Sequence, residues 1–462
     1  MSAMNKIFKV IWNSATQTWV VVSELGKAKG KKSKLNKQIP SLKLTMVLGS
    51  VGFSLMSIDA LAAAAVQIGD GATLGNVTPN NNAEASIVIG KNASAENSSS
   101  NSGTNNGALN AIVIGNNAAA KSNANIVIGD SANANGPYSI VIGQNATITA
   151  QNGKTANNAL AIGKGAKATN QGTISLGLES QANGERSIAM GGQTGSTNKK
   201  TVANGRDSIA FGMGASTKSN ASNSVALGVN ATVIESGINA MALGVNASSA
   251  GSQGLAIGAF ANASGMYNSL AIGTSSIANA TSASAIGYQA KATGNNSSSL
   301  RASAQALGAN SAALGANAIA NTTNANALGY QAKAMGNNST SLGASSRALG
   351  ENSAALGLNA TAKEKGGVAI ASNANSTGKN TIAIGVNATA THTTNLTDIE
   401  GNYITDKDGV EGPLVDGVEI LVPSIAIGFL SNATSANAIS IGTNSNATGN
   451  RAIGWCRRSN LI

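Results

Sequence analysis

Thr381-Ile382-Ala383-Ile384-Gly385 is the stretch on which the fold turns. It reads β-branched, large apolar, small, large apolar, glycine. Alternation with period 2 predicts a short β-strand that carries both large residues on one face. The closing Gly predicts a turn, where a residue without a Cβ takes φ > 0 at little cost. Variants return along most of the chain: SIVIG closing at Gly143, ALAIG at Gly163, TISLG at Gly177, SVALG at Gly228, SLAIG at Gly273, NALG at Gly329 and SIAIG at Gly428.

The spacing of the closing glycines turns one strand into an architecture. Gly115, Gly129 and Gly143 stand 14 residues apart, as do Gly163, Gly177 and Gly191, then Gly315, Gly329 and Gly343, and finally Gly428 and Gly442. Gly212, Gly228 and Gly244 step by 16, and Gly258 to Gly273 by 15. Residues 285–320 also match 327–362 at an offset of 42, three such units. Between the pentapeptides lies a second motif, Asn145-Ala146, Asn230-Ala231, Asn246-Ala247 or Asn359-Ala360, a turn residue before a short strand of small side chains. Fourteen residues accommodate two strands of about five and two tight turns, one coil of an all-β parallel solenoid. Coils stacked about 4.8 Å apart make a rod on the order of 100 Å, with Asn and Ser in register along its turns.

Composition agrees with a repeat and excludes other classes. Aromatic residues are 3% and charged residues 11% of the 462, against about 25% charged in ordinary globular domains. The net charge of +11 is concentrated at the start, where nine Lys against Glu24 and Asp59 within residues 1–62 account for +7 and leave +4 for the rest. No cluster of cations with interleaved aromatics is evident, which argues against nucleic-acid binding. The single cysteine, Cys456, excludes a disulfide framework and a Cys-based metal site. His392 is the only histidine and has no nucleophile elbow or orienting carboxylate, so no catalytic, cofactor-binding or metal site is expected.

Energetics then call for self-association. Each coil offers about two large apolar residues, each worth about 1.5–3 kcal/mol when buried. Ordering the backbone costs about 1–2 kcal/mol per residue. A single thin column is marginal, so the large-residue strand faces are read as core, packed between several copies around a common axis.

The first 65 residues differ from everything after them. Residues 4–34, MNKIFKVIWNSATQTWVVVSELGKAKGKKSK, hold two of the three Trp and much of a basic run. Residues 44–58 are fifteen uncharged, mostly apolar residues, followed by small residues with Ala60, Ala62 and Ala64 at the cleavage region. Basic region, short apolar region and A-x-A site make a secretory leader; fifteen residues are short of the roughly 20 that span a bilayer.

Departures from the repeat are as legible as the repeat. Arg301 and Ala371 stand where Gly closes other pentapeptides; if those turns keep φ > 0, a side chain costs roughly 1–2 kcal/mol, and if they use φ < 0 nothing is strained. Gly90 to Gly115 and Gly191 to Gly212 exceed one coil by eleven and seven residues, loops extruded from turns. Gly385 to Gly428 spans 43 residues and holds seven of the nineteen acids, with Asp408-Gly409 and Asp416-Gly417 as hairpin signals. Its Asp spacing fits neither an EF-hand nor a calcium nonapeptide. After Gly442 the repeat resumes towards Gly454 and then gives way to Trp455-Cys456-Arg457-Arg458.

Both halves resemble one family. The leader is similar to the extended signal-peptide region of large Gram-negative autotransporters, in which the chain would start at Met4. The repeats, from about residue 86 to 442, resemble the head repeats of trimeric autotransporter adhesins of the YadA-like kind. The resemblance implies a homotrimer of left-handed parallel β-rolls with 14-residue coils, export through the inner-membrane machinery, and non-enzymatic attachment to host extracellular matrix, cells or surfaces. It divides the chain into an extended signal-peptide region (1–43), hydrophobic region and cleavage site (44–65), head repeats (66–385), acidic insert (386–427), further head repeats (428–454) and an aberrant tail (455–462). Stalk and membrane-anchor patterns of the family are not evident, so a truncated passenger, periplasmic or non-functional, is one expectation. An ice- or polysaccharide-binding solenoid would need a regular Thr array, and Thr here is scattered. No ligand-binding residue is singled out by the sequence.

Overall fold

A computed structural model describes residues 8–13, 18–23, 66–74, 86–96, 110–149, 156–193, 199–234, 236–391, 414–415, 418–419 and 423–455. The chain divides into two compact units, 1–58 and 59–462. In the first, Phe8–Asn13 pairs antiparallel with Thr18–Ser23, placing Trp12 opposite Trp19. The apolar leader segment and Ala60, Ala62 and Ala64 lie outside the described residues, as does His392.

The second unit is all-β among its described residues, with no helix. Two parallel ladders run along it. One adds a three-residue strand per coil, from Val66–Ile68 to Ile453–Trp455. The other adds a two-residue strand per coil, from Ser94–Ala95 to Asn446–Ala447. The strands are shorter than the five residues expected, because a residue with φ near 55° recurs at fixed positions in the turns and bends the chain: Asn373 and Asn380 in one coil, Ser345 and Asn352 in another. Asn dominates these positions because its short polar side chain tolerates the left-handed region. The three-residue ladder holds 24 strands, a stack of about 110 Å at 4.8 Å per step.

Register is kept across every irregularity. Ile87 pairs with Ile112 across the first insertion and Ile188 with Ile209 across the second. Ile382 pairs directly with Ile425, so the 43-residue gap contributes no coils of its own. The coil runs on through Thr389–Ala390 before the insert departs. Within the insert, Leu414–Val415 and Val418–Glu419 form the hairpin that Asp416-Gly417 signals; Asp408-Gly409 is outside the described residues.

The core reverses the sequence expectation. In Ile382–Ile384 the central Ala383 is fully buried while both Ile side chains are half-exposed. The same holds coil after coil: Val88, Val113, Val127 and Val141 occupy the centre of the early strands, and Ala or Ser almost all the later ones. A fourteen-residue coil encloses a cross-section that small side chains mostly fill, with Val and the single Ile148 as the largest apolar side chains fully buried. The large residues that alternate with them are thereby turned outward. Large residues are core only in the sense that another surface must cover them.

Buried hydroxyls are mostly paired. Ser175 bonds Ser180 at 2.7 Å, Ser341 bonds Ser346 at 2.6 Å, and Ser440 bonds Ser445 at 2.7 Å, each across one coil. Ser299 occupies the same strand-centre position opposite Ala304, and its hydroxyl has no partner.

Candidate binding faces of the solenoid

Every coil presents two outward faces of different chemistry. On the three-residue ladder the first and third strand residues point out, and through residue 270 they are almost all Ile, Leu, Val, Met or Phe. The residue after the closing Gly extends this face, with Leu178, Met213, Tyr288, Tyr330, Leu358 and Phe429 all exposed by about half. Such a long apolar stripe is uncommon on a monomer and marks an interaction surface. It narrows in six consecutive coils, where the first strand residue becomes Ser284, Ser298, Ala312, Asn326, Thr340 and Ala354.

The two-residue ladder carries mostly polar residues on its outward position and Ala, Ser, Thr or an aliphatic residue on its inward one. Lys291, Lys333 and Arg347 take that outward position and are exposed. Along the sequence these cations do not cluster. At offsets of 42 and 14 residues they stand at the same point of the coil, Lys291 three coils from Lys333 and Lys333 one coil from Arg347.

The turns are tied coil to coil. Asn296, Asn310, Asn324, Asn338 and Asn352 form a continuous side-chain ladder with steps of 2.9–3.2 Å. Asn359, Asn373 and Asn387 form another on the opposite turn, at 3.3 and 3.1 Å. In one pair of coils a charge pair replaces the amides: Arg186 reaches Asp207 with Nε–Oδ1 at 2.6 Å and Nη2–Oδ2 at 2.8 Å. The hydrogen bond from Arg186 holds the Asp207 carboxyl below the usual carboxylate range, and its attraction to Arg186 and Arg206 adds to this. Lys200, beside the second insertion, pairs with Glu179 at 2.8 Å.

The seventeen closing glycines named in sequence from Gly115 to Gly442 end the three-residue strands with φ between 117° and 152°. At Gly385 an added Cβ would meet the Gly428 carbonyl oxygen at 2.3 Å. Arg301 and Ala371 nevertheless keep φ at 98° and 100°, so the strained alternative is the one realised. Gly454 is different: it pairs with Ser440 at the strand centre, and Cys456 follows Trp455 where a closing Gly would stand. The expectation that Gly454 closes a pentapeptide is corrected by this two-residue shift. Among the described residues no group of three or more His, Cys, Asp or Glu could hold a metal ion.

Comparison with known proteins accounts for leader and repeats separately. Residues 4–52 match the Extended Signal Peptide of Type V secretion system. The YadA head domain repeat matches thirteen segments between residues 126 and 453, together more than half of the chain. The chain is 43% identical over 72 residues to the trimeric autotransporter adhesin AtaA of Acinetobacter sp. (strain Tol 5), covering 16% of this chain and 2% of that protein. It is 40% identical over 101 residues to the autotransporter adhesin EhaG of Escherichia coli O157:H7, covering 22% of this chain and 6% of that protein. The stretches matched are thus a small part of those relatives. Leader and family mark an exported protein of the cell surface or outer membrane. With parallel 14-residue coils, in-register glycine turns and the matched leader in agreement, the chain belongs to the YadA-like trimeric autotransporter adhesins.

Proposed function

We propose that residues 66–454 act as the head of a homotrimeric, non-enzymatic adhesin that attaches its cell to host extracellular matrix, to host cells or to surfaces. The observation that carries the proposal is the outward apolar stripe of the three-residue ladder. It is too long to leave in water, and three copies packed stripe to stripe would cover it. The polar ladder and the inserts then face outward. Weak contacts repeated along coils and across three chains gain strength by avidity. The leader directs the chain to the inner-membrane export machinery.

Two measurements on the full chain test this. Equilibrium sedimentation should give three times the chain mass of 45.4 kDa, and solid-phase binding to collagen, fibronectin and laminin should saturate on at least one. A stable folded monomer contradicts the trimer; a trimer that binds none of the matrix proteins, cells or abiotic surfaces tried contradicts the adhesive role.

A further inference from the structure

Residues 236–350 contain no Asp or Glu, and their four charges, Lys291, Arg301, Lys333 and Arg347, are all positive. Three of the four share the outward position of the two-residue ladder, separated by whole coils. Lys333 and Arg347 are register partners on adjacent strands, about 4.8 Å apart along the stack. Like charges placed directly opposite each other destabilise a sheet. Among the described residues neither is in an ion pair, whereas Arg186, Lys200 and Lys365 each find a carboxylate.

The pair borders a groove of about 400 Å³ lined by Asn317, Ile319, Gln331, Lys333, Ser345 and Arg347. Its chemistry is two cations, two amides and a hydroxyl around one aliphatic side chain. Carboxylate or sulfate groups would answer the cations, and sugar hydroxyls the amides and Ser345, a recognition by charge that, unlike a flat array, calls for no regular Thr. Lys291, three coils away from Lys333, lies about 14 Å along the same row, so a linear ligand running parallel to the stack meets charge again. The groove lining has no aromatic side chain on which a nucleobase could stack.

We infer that the groove at Lys333 and Arg347 binds an acidic linear polysaccharide, bearing sulfate or carboxylate groups, laid along the two-residue ladder. The inference rests on the adhesin reading in one respect: this ladder, opposite in character to the apolar stripe, stays outside the subunit contact. Gln is a native occupant of the outward position at Gln181 and Gln305, so Lys333→Gln with Arg347→Gln leaves the coil intact.

The test measures binding of the full chain to heparin, hyaluronan, neutral dextran and a single-stranded oligonucleotide by titration at two ionic strengths. Heparin or hyaluronan should bind, the two together separating sulfate from carboxylate recognition, and binding should weaken with salt. The double variant should lose at least about tenfold in affinity. Lys167→Gln with Lys218→Gln removes the same charge elsewhere and should change little. Equal loss in both variants, equal binding of dextran, tighter binding of a single-stranded oligonucleotide, or no binding by either acidic glycan overturns the site. Sedimentation and matrix-protein binding on the same preparations separate that outcome from failure of the adhesin reading, which those two measurements address alone.

Discussion

At the scale of single residues, the closing position is where the fold is least forgiving. Gly385 has φ of 133° and the next coil's carbonyl 2.3 Å from any added Cβ. Gly385→Ala should therefore destabilise by about 1–3 kcal/mol or more, read as a lowered denaturation midpoint. Arg301 is the inverse case. Relieving a φ of 98° returns about 1–2 kcal/mol, against about 0.4–1 kcal/mol lost to the freer unfolded chain. Arg301→Gly should stabilise by up to about 1.6 kcal/mol; a lowered midpoint would contradict the strain. Ser299 gives a second residue-scale contrast. Its hydroxyl is buried without a partner, so Ser299→Ala should be neutral or stabilising by about 1 kcal/mol. Ser341→Ala breaks the 2.6 Å bond to Ser346, whose hydroxyl keeps its bond to the Gly343 carbonyl, and should cost about 0.5–1.5 kcal/mol.

At the scale of the turn and the strand, the same position can be tied by different chemistry. Asn–Asn bonds do not titrate, whereas the Arg186–Asp207 pair does. Because Asp207 ionises more readily in the folded chain, the pair stabilises above the ordinary carboxylate range. That contribution disappears as pH falls through the folded-state value. Asp207→Asn should therefore flatten the decline of melting temperature on the acid side, and an unchanged slope would remove the pair from the account. Elements also show what the sequence could convey. Period, turn residues and the hairpin at Asp416-Gly417 are local patterns, and they were legible. The direction of the alternating faces was not. Ile382 and Ile384 share a face in any strand, but only the narrowness of the closed coil decides that Ala383 is the one inside. The alignment of Lys333 with Arg347 follows from the 14-residue period, but that both face outward beside a groove emerges only from the closed coil.

At the scale of the whole head, the apolar stripe is continuous except across residues 284–354, where its first row turns polar or small. Subunit contact in the proposed trimer is therefore thinnest over the stretch that carries the cation row. Backbone hydrogen exchange on the full chain should run faster in those six coils than in the Ile- and Leu-rich coils over residues 112–190. Uniform protection would show that the first row contributes little to assembly. Both inserts and the acidic hairpin segment leave and re-enter without a change of register, so loops add surface without disturbing the stack.

The 42-residue correspondence between 285–320 and 327–362 has a consequence for inheritance. An in-frame loss or gain of 42 residues would remove or add three complete coils. Each boundary then rejoins like position to like position, and both ladders close over the junction. The head would change length in increments of about 14 Å while its cross-section, turns and outward rows stay as they were. Reach would thus be inherited in whole-coil steps that keep every position of the coil in place.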